Sequence, residues 1–202
     1  LSNMKIAVLA SGSGSNLKAL IDSIKDGSLP AEIALVISNN PEAFALERAK
    51  REGIESRVVR EPDFDSRENY DEELIKIIKD YNVELVVLAG YMLICSKPLV
   101  EEFYGKLINL HPSMLPEFPG ADAIGDALRS GAKITGVTVH FVDEGCDSGP
   151  IIFQEEVAIK ADDTEETLAE RIHTVEHKIL PKAVKYYAQG RLHLEDRNVS
   201  VG

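Results

Sequence analysis

The chain has 202 residues, of which 44% are apolar, 28% charged and 6% aromatic, with no Trp. That composition excludes a disordered or membrane chain and fits one globular domain, with little room for a second. A formal charge of −12 repels polyanions, so no nucleic-acid partner is expected, whereas a small phosphorylated ligand held by backbone N–H groups stays compatible.

Leu1, Ser2 and Asn3 precede Met4 and read as additions outside the fold. No signal peptide and no apolar run of about eighteen residues follows, which points to the cytoplasm and to no membrane partner. Residues 5–10 (KIAVLA) form a short apolar run ending in Ser and Gly, as a buried parallel strand does. The alternation continues with a helix over 17–26, a strand over 32–38, a helix over 43–52, a strand over 55–59, a helix over 66–81 and a strand over 85–89. Strands and helices in this order imply right-handed crossovers, hence an α/β fold with a doubly wound, mostly parallel sheet. A helix over 97–104 leads to a strand over 107–111, and three prolines in HPSMLPEFPG exclude a helix there. Residues 134–142 alternate like a strand with one polar face carrying Thr138 and His140, and 151–158 pair with them. Asp163 and Glu166 read as a capping box for a last helix with its apolar stripe at Leu168, Ile172, Val175, Ile179 and Val184. Residues 4–194 are expected to form one domain and 195–202 a tail.

Three segments could carry chemistry. Ser11 to Asn16 (SGSGSN) lies between a strand and a helix, where small residues let the backbone approach a phosphate and the helix dipole favours its charge. A dinucleotide fingerprint is disfavoured because Leu17 replaces the third Gly and no acidic residue closes the next strand; a plain tight turn stays open. Asn109 and His111 share one face at the carboxyl end of a strand, which pairs an amide donor with an imidazole suited to an oxyanion and a proton, although a structural histidine is also common there. Asp143, Glu144 and Asp147 lie in the loop VDEGCDSGP, which is either a solvated turn or the source of a carboxylate that orients His111. His140 could stand behind this site or be structural; Glu176 could reach a pocket or sit at its rim, and His177 falls opposite the apolar stripe. Cys95 and Cys146 have no metal-binding spacing, so no metal is expected and both thiols read as buried or idle.

Taken together, SGSGSNL, FDSRENYD, VVLAGYM, INLHPSMLPEFPG, VHFVDEGCDSGPII and the EH of VEHKILP, spread over Met4 to Leu194, resemble the phosphoribosylglycinamide formyltransferases, a folate-dependent formyltransferase family. The resemblance implies transfer of the formyl group of 10-formyltetrahydrofolate to the amine of glycinamide ribonucleotide in purine biosynthesis. It implies that Asn109, His111 and Asp147 are catalytic, that Gly14, Ser15 and Asn16 hold the ribonucleotide phosphate, and that Glu176 contacts its glycinamide end. Arg67, Met92, Leu93, Ile94 and Cys95, with Asn109 and Asp143, match positions lining the folate site. Small molecules are then the only partners, in a monomer or a homodimer. Leu93 stands where many relatives carry Arg, and Asp122 where others carry His. A tRNA formyltransferase or a formyltetrahydrofolate hydrolase normally adds a domain that this length does not accommodate; a non-catalytic nucleotide-binding module of the same fold is the reading from another class.

Overall fold

The computed structural model describes residues 3–202. The expectation that Leu1 and Ser2 are additions falls outside the described residues. Strands β1 (Met4–Leu9), β2 (Ala31–Ser38), β3 (Ser56–Val58), β4 (Leu85–Leu88), β5 (Leu107–His111), β6 (Ile134–Phe141) and β7 (Ile151–Ala158) form one seven-stranded sheet in the order β3-β2-β1-β4-β5-β6-β7. The strands from β3 to β5 run parallel, and β6 runs antiparallel to both of its neighbours, β5 and β7. This is the expected doubly wound α/β fold.

Helices α1 (Ser15–Lys25), α2 (Phe44–Arg51), α3 (Arg67–Asp80), α4 (Lys97–Glu102), α5 (Ala123–Arg129) and α6 (Glu165–Ala188) cover the two faces of the sheet. The period of two along each strand divides the core. Ile6, Val8, Val87 and Ile108 point to one side, with Leu17 and Leu20 of α1, Ala45 of α2 and Ile172 of α6. Ala7, Leu9, Val86 and Leu88 point to the other, against Tyr70, Leu74 and Ile78 of α3 and Leu99 of α4. Burying each such large side chain contributes about 1.5–3 kcal/mol. The chain turns away from β1 toward β3 and returns to β4, so the loops after β1 and β4 diverge between neighbouring strands. In open α/β sheets such a switch point forms the ligand crevice.

Three elements differ from expectation. Helix α5 falls where no element is predicted; its N-terminus at Asp122 lacks a side-chain cap, and Arg129 in its last turn binds back to Asp122 and Asp126. The box that opens α6 is Thr164 with Thr167, not Asp163 with Glu166. Asp163 instead holds Arg171, Thr167 and the Lys160 N–H, which keep its carboxyl well below its ordinary range. The chain also ends in an antiparallel hairpin, β8 (Leu192–Glu195) and β9 (Asn198–Val201), in which Leu192, Leu194 and Val199 pack against the main core.

Gly14 illustrates how close packing at the switch point depends on a missing side chain. Its φ is 68°, and a Cβ there would lie 2.7 Å from the Cα of Ala45 and 2.8 Å from its Cβ, so α1 and α2 meet over this residue. Gly14→Ala combines left-handed strain with overlap, each costing about 1–3 kcal/mol. Gly12 has open space around its Cα. Chemical denaturation should show Gly14→Ala destabilised by about 2 kcal/mol or more, with Gly12→Ala close to the parent; equal stability of the two variants would contradict the packing argument.

Candidate active site

A cavity of about 560 Å³ opens at the switch point, a size suited to a small ligand. Its walls are the loop 11–16 after β1, the segment 88–95 after β4, the end of β5, the Pro-rich loop and the loop after β6. The structure therefore brings Gly14, Ser15, Asn16, Met92, Leu93, Ile94, Cys95, Asn109, His111, Asp147 and Glu176 to one cavity. Arg67 and Asp143 do not line it. The Arg67 guanidinium lies over the Tyr70 ring, 5.4 Å from its centroid, and reaches Glu61. Asp143 is engaged by Gly145 and Ser148 of its own loop and by Arg197.

At one end, α1 begins at Gly14 with no side-chain cap and no acidic residue in its first turn, which leaves donors and a positive dipole end facing the cavity. Ala45 N–H donates to the Gly12 carbonyl, and Arg48 Nε to the Ser13 carbonyl at 2.8 Å, so α2 braces the loop from behind. Ser11 ties this loop to the opposite wall: its hydroxyl donates to Asn39 at 2.6 Å and accepts from the Met92 N–H at 2.9 Å. Ser11 is a cavity residue that sequence reasoning passes over within the motif.

Glu176 is buried and accepts from Asn16 Nδ2 at 3.1 Å, which joins α6 to α1 across the cavity floor. Burial pushes its carboxyl above the ordinary value, against the Asn16 bond and the charges of His173 and His111. His177 is half-buried rather than solvated, and its Nε2 has no hydrogen-bond partner among the described residues. Burial, then the positive charges of His173, Lys18 and Arg48, lower its basicity.

The other end holds the imidazoles. His111 is buried, with Nε2 donating to the Phe118 carbonyl at 2.8 Å and Nδ1 facing Asp147 Oδ2 at 3.5 Å. Both nitrogens thus face acceptors, and an imidazolium satisfies both with its two N–H groups. Phe118 and Asp147, on either side of the ring, each adopt a left-handed backbone with φ 51°. The Gly120 N–H donates to Asp147 Oδ2 at 2.8 Å, tying the acidic loop to the Pro-rich one.

Asn109 does not lean on His111. It stands opposite His140 in the β5–β6 ladder, and its Nδ2 lies 3.3 Å from His140 Nε2. His140 Nδ1 lies 2.7 Å from the Phe141 carbonyl, which only accepts, so Nδ1 carries the proton and Nε2 accepts from Asn109. Burial lowers the proton affinity of this ring, outweighing the Phe141 bond and the Asp147 charge. His140 therefore fixes the amide with its N–H groups on the His140 side, a partnership that only the strand register discloses.

Neither thiol is a ready nucleophile. Burial, with the Asp71 charge, pushes Cys95 up to about 12, and burial with Asp147 raises Cys146, which is exposed rather than buried. Among the described residues no group of three or more His, Cys, Asp or Glu could hold a metal ion, and no helix is long and apolar enough to cross a membrane.

A family model described as formyl transferase matches residues 4–184. The chain belongs to the formyl transferase family. It is 43% identical over 193 residues to the phosphoribosylglycinamide formyltransferase of Escherichia coli (strain K12), covering 96% of this chain and 91% of that protein. It is 51% identical over 190 residues, 93% of this chain, to the trifunctional purine biosynthetic protein adenosine-3 of Drosophila pseudoobscura pseudoobscura, of whose length it spans only 14%. The structure matches that of glycinamide ribonucleotide transformylase 1 from Symbiobacterium toebii with a TM-score of 0.97 and 42% identity, covering 99% of this chain and 94% of that one.

The buried Glu176 gives a signed pH prediction. Because its folded proton affinity is raised above the ordinary value of 4.5, ionising it costs stability, a cost absent at acid pH and complete once pH exceeds the raised value. Glu176→Gln should therefore melt higher than the parent at about pH 8, with the gap narrowing toward about pH 5. Thermal melts across that range check this; a gap independent of pH would refute it.

Proposed function

We propose that this member of the family transfers the formyl group of 10-formyltetrahydrofolate to the amine of glycinamide ribonucleotide, in keeping with the ribonucleotide formylation for which its relatives are named. The observation that carries the reading is the convergence of an uncapped helix N-terminus, a buried carboxylate and the Asn109, His111 and Asp147 set in one cavity. The loop Gly14 to Asn16 receives the ribonucleotide phosphate, and Glu176 receives the glycinamide end. The folate enters along Met92 to Cys95, where Met92 and Ile94 are exposed apolar side chains suited to a ring system. Arg67 lies behind that wall, over the Tyr70 ring whose hydroxyl bonds Tyr91, while Asp143 stays in the acidic loop.

In the reaction the neutral amine attacks the formyl carbon and the carbonyl oxygen becomes an oxyanion. The Asn109 amide, held by His140, and the His111 imidazolium stabilise that oxygen. The oxygen competes with the Phe118 carbonyl for His111 Nε2–H, so the loop 112–120 gives way as substrate enters. Collapse of the intermediate breaks the bond to the folate nitrogen, and the proton lost by the attacking amine returns to that nitrogen by way of Asp147 and His111. Losing one oxyanion donor costs on the order of 100-fold to 1000-fold in turnover.

Purified protein given 10-formyltetrahydrofolate should release tetrahydrofolate only when glycinamide ribonucleotide is present. Release without an acceptor would make it a hydrolase instead. His111→Ala and Asp147→Asn should each reduce kcat by roughly 100-fold or more, and the double variant should lose little beyond the worse single one, because the two act as a unit. Steady-state kinetics decides, and multiplicative losses would break the unit apart.

A further inference from the structure

We infer that Arg197, at the turn of the C-terminal hairpin, is a positioning residue that braces the loop carrying Asp147; the inference rests on the catalytic reading of Asp147 given above. Arg197 follows Asp196, whose φ of 53° makes the tight reversal between β8 and β9. Its guanidinium spans the acidic loop: Nη1 donates to Asp143 Oδ2 at 2.9 Å and Nη2 to the Ser148 carbonyl at 2.6 Å. These contacts fall on either side of Asp147, four residues before it and one after. Asp143 in turn accepts from the Gly145 N–H at 3.0 Å and the Ser148 hydroxyl at 2.8 Å, so the loop is gathered around one carboxylate that Arg197 closes from outside.

The need for such a brace follows from the loop itself. Gly145, Cys146 and Ser148 are exposed, and Asp147 sits in a left-handed conformation that a non-glycine residue keeps only when its surroundings over-determine it. The Asp147 carboxylate itself is held by one backbone bond, from Gly120, by the Cys146 thiol at 3.5 Å and by the more distant His111 and His140 rings. To the loop around it, Arg197 supplies two directed donors from a planar group, a geometry a lysine does not reproduce. The hairpin can take the load. Leu192, Leu194 and Val199 anchor it to the core, Tyr104 donates to the Asp196 carbonyl at 3.3 Å, and Arg191 binds the last residue and stacks on Tyr186.

An exposed ion pair contributes little to global stability, and the Arg197 side chain is 63% exposed. The effect of Arg197 is therefore local, on where the carboxylate stands rather than on whether the protein folds. The same contact explains why Asp143 stays ionised. Burial opposes its charge, yet the bonds from Ser148, Arg197 and Gly145 still lower its proton affinity, and the carboxylate serves as the knot of the loop.

The test compares the parent with Arg197→Ala, Arg197→Lys and Asp147→Asn by steady-state kinetics for both substrates, by thermal melting, and by hydrogen exchange of residues 142–150. Arg197→Ala should melt near the parent, exchange faster in 142–150 and lose roughly 10-fold to 100-fold in kcat, the scale expected for a misplacement of about 1 Å. Its KM for the ribonucleotide should stay within about twofold, since the phosphate is held at the opposite end of the cavity. Arg197→Lys should recover part of the loss, because an ammonium can reach Asp143 without also reaching the Ser148 carbonyl. A kcat for Arg197→Ala within about twofold of the parent would overturn the inference, as would unchanged exchange in 142–150. Full turnover by Asp147→Asn would sink the catalytic reading instead, whereas exchange in the loop judges the brace without needing turnover.

Discussion

The antiparallel pairing of β5 with β6 is the constraint on which the rest of the site depends. Its register sets Asn109 opposite His140 and His111 opposite Thr138, and it delivers the chain from β6 directly into the loop that carries Asp147. A slip of one residue in β6 would turn Thr138 and His140 to the other face of the sheet, away from His111 and Asn109. The register is held by burial on both faces: Ile108, Leu110, Val139 and Phe141 pack on one side, while Thr138 on the other bonds the Ser113 carbonyl, the Leu115 N–H and Gln154. Those bonds also anchor the start of the Pro-rich loop, so the sheet that positions Asn109 positions the loop that holds His111.

The local field at the α1 end of the cavity depends little on the protein's net charge. The dipole end of α1 supplies N–H groups whose partial charge is fixed by the backbone, and Lys18, Arg48, His173 and His177 cluster behind them. The buried Glu176 works the other way. It costs stability when ionised, yet it offers an amine one of the few anionic acceptors in the cavity. The positive helix end and the carboxylate are thus two regions of opposite sign in one cavity, joined by the Asn16 bond between α1 and α6.

Much of this was legible in the sequence because the signals were periodic. The buried strands stood out as apolar runs, the long helices as stripes, and the residues at strand ends as a site by their place in a doubly wound sheet. What escaped depended on contacts between distant segments. His140 is an alternating strand residue until the register pairs it with Asn109. Helix α5 is seven residues long, contains Gly125 and gains its closure from Arg129 rather than from an apolar stripe. The C-terminal hairpin has no Gly at its turn, where Asp196 takes the left-handed position, so 195–202 read as a tail. Asp143 and Arg67, placed at the folate site by resemblance, lie outside the cavity because their side chains are engaged by Arg197 and Ser148 in one case and by Tyr70 and Glu61 in the other.

The backbone around His111 shows why those distant contacts matter. Phe118 and Asp147 both hold a left-handed conformation, which costs on the order of 1–3 kcal/mol each, and both aim an oxygen at the same imidazole. A relaxed loop would turn one of those oxygens toward water. The strain is sustained from outside: the Gly120 N–H pulls Asp147 inward, Ser113 secures the Pro-rich loop by donating to the Glu117 carbonyl at 2.5 Å, and Gly149 leaves room where a Cβ would overlap the Phe141 carbonyl. Ser113 and Gly120 belong to the Pro-rich loop and Gly149 to the acidic one, so the two loops hold each other. The geometry of the imidazole is thus a property of the assembled fold, and residues far from the reacting atoms can alter it without touching substrate.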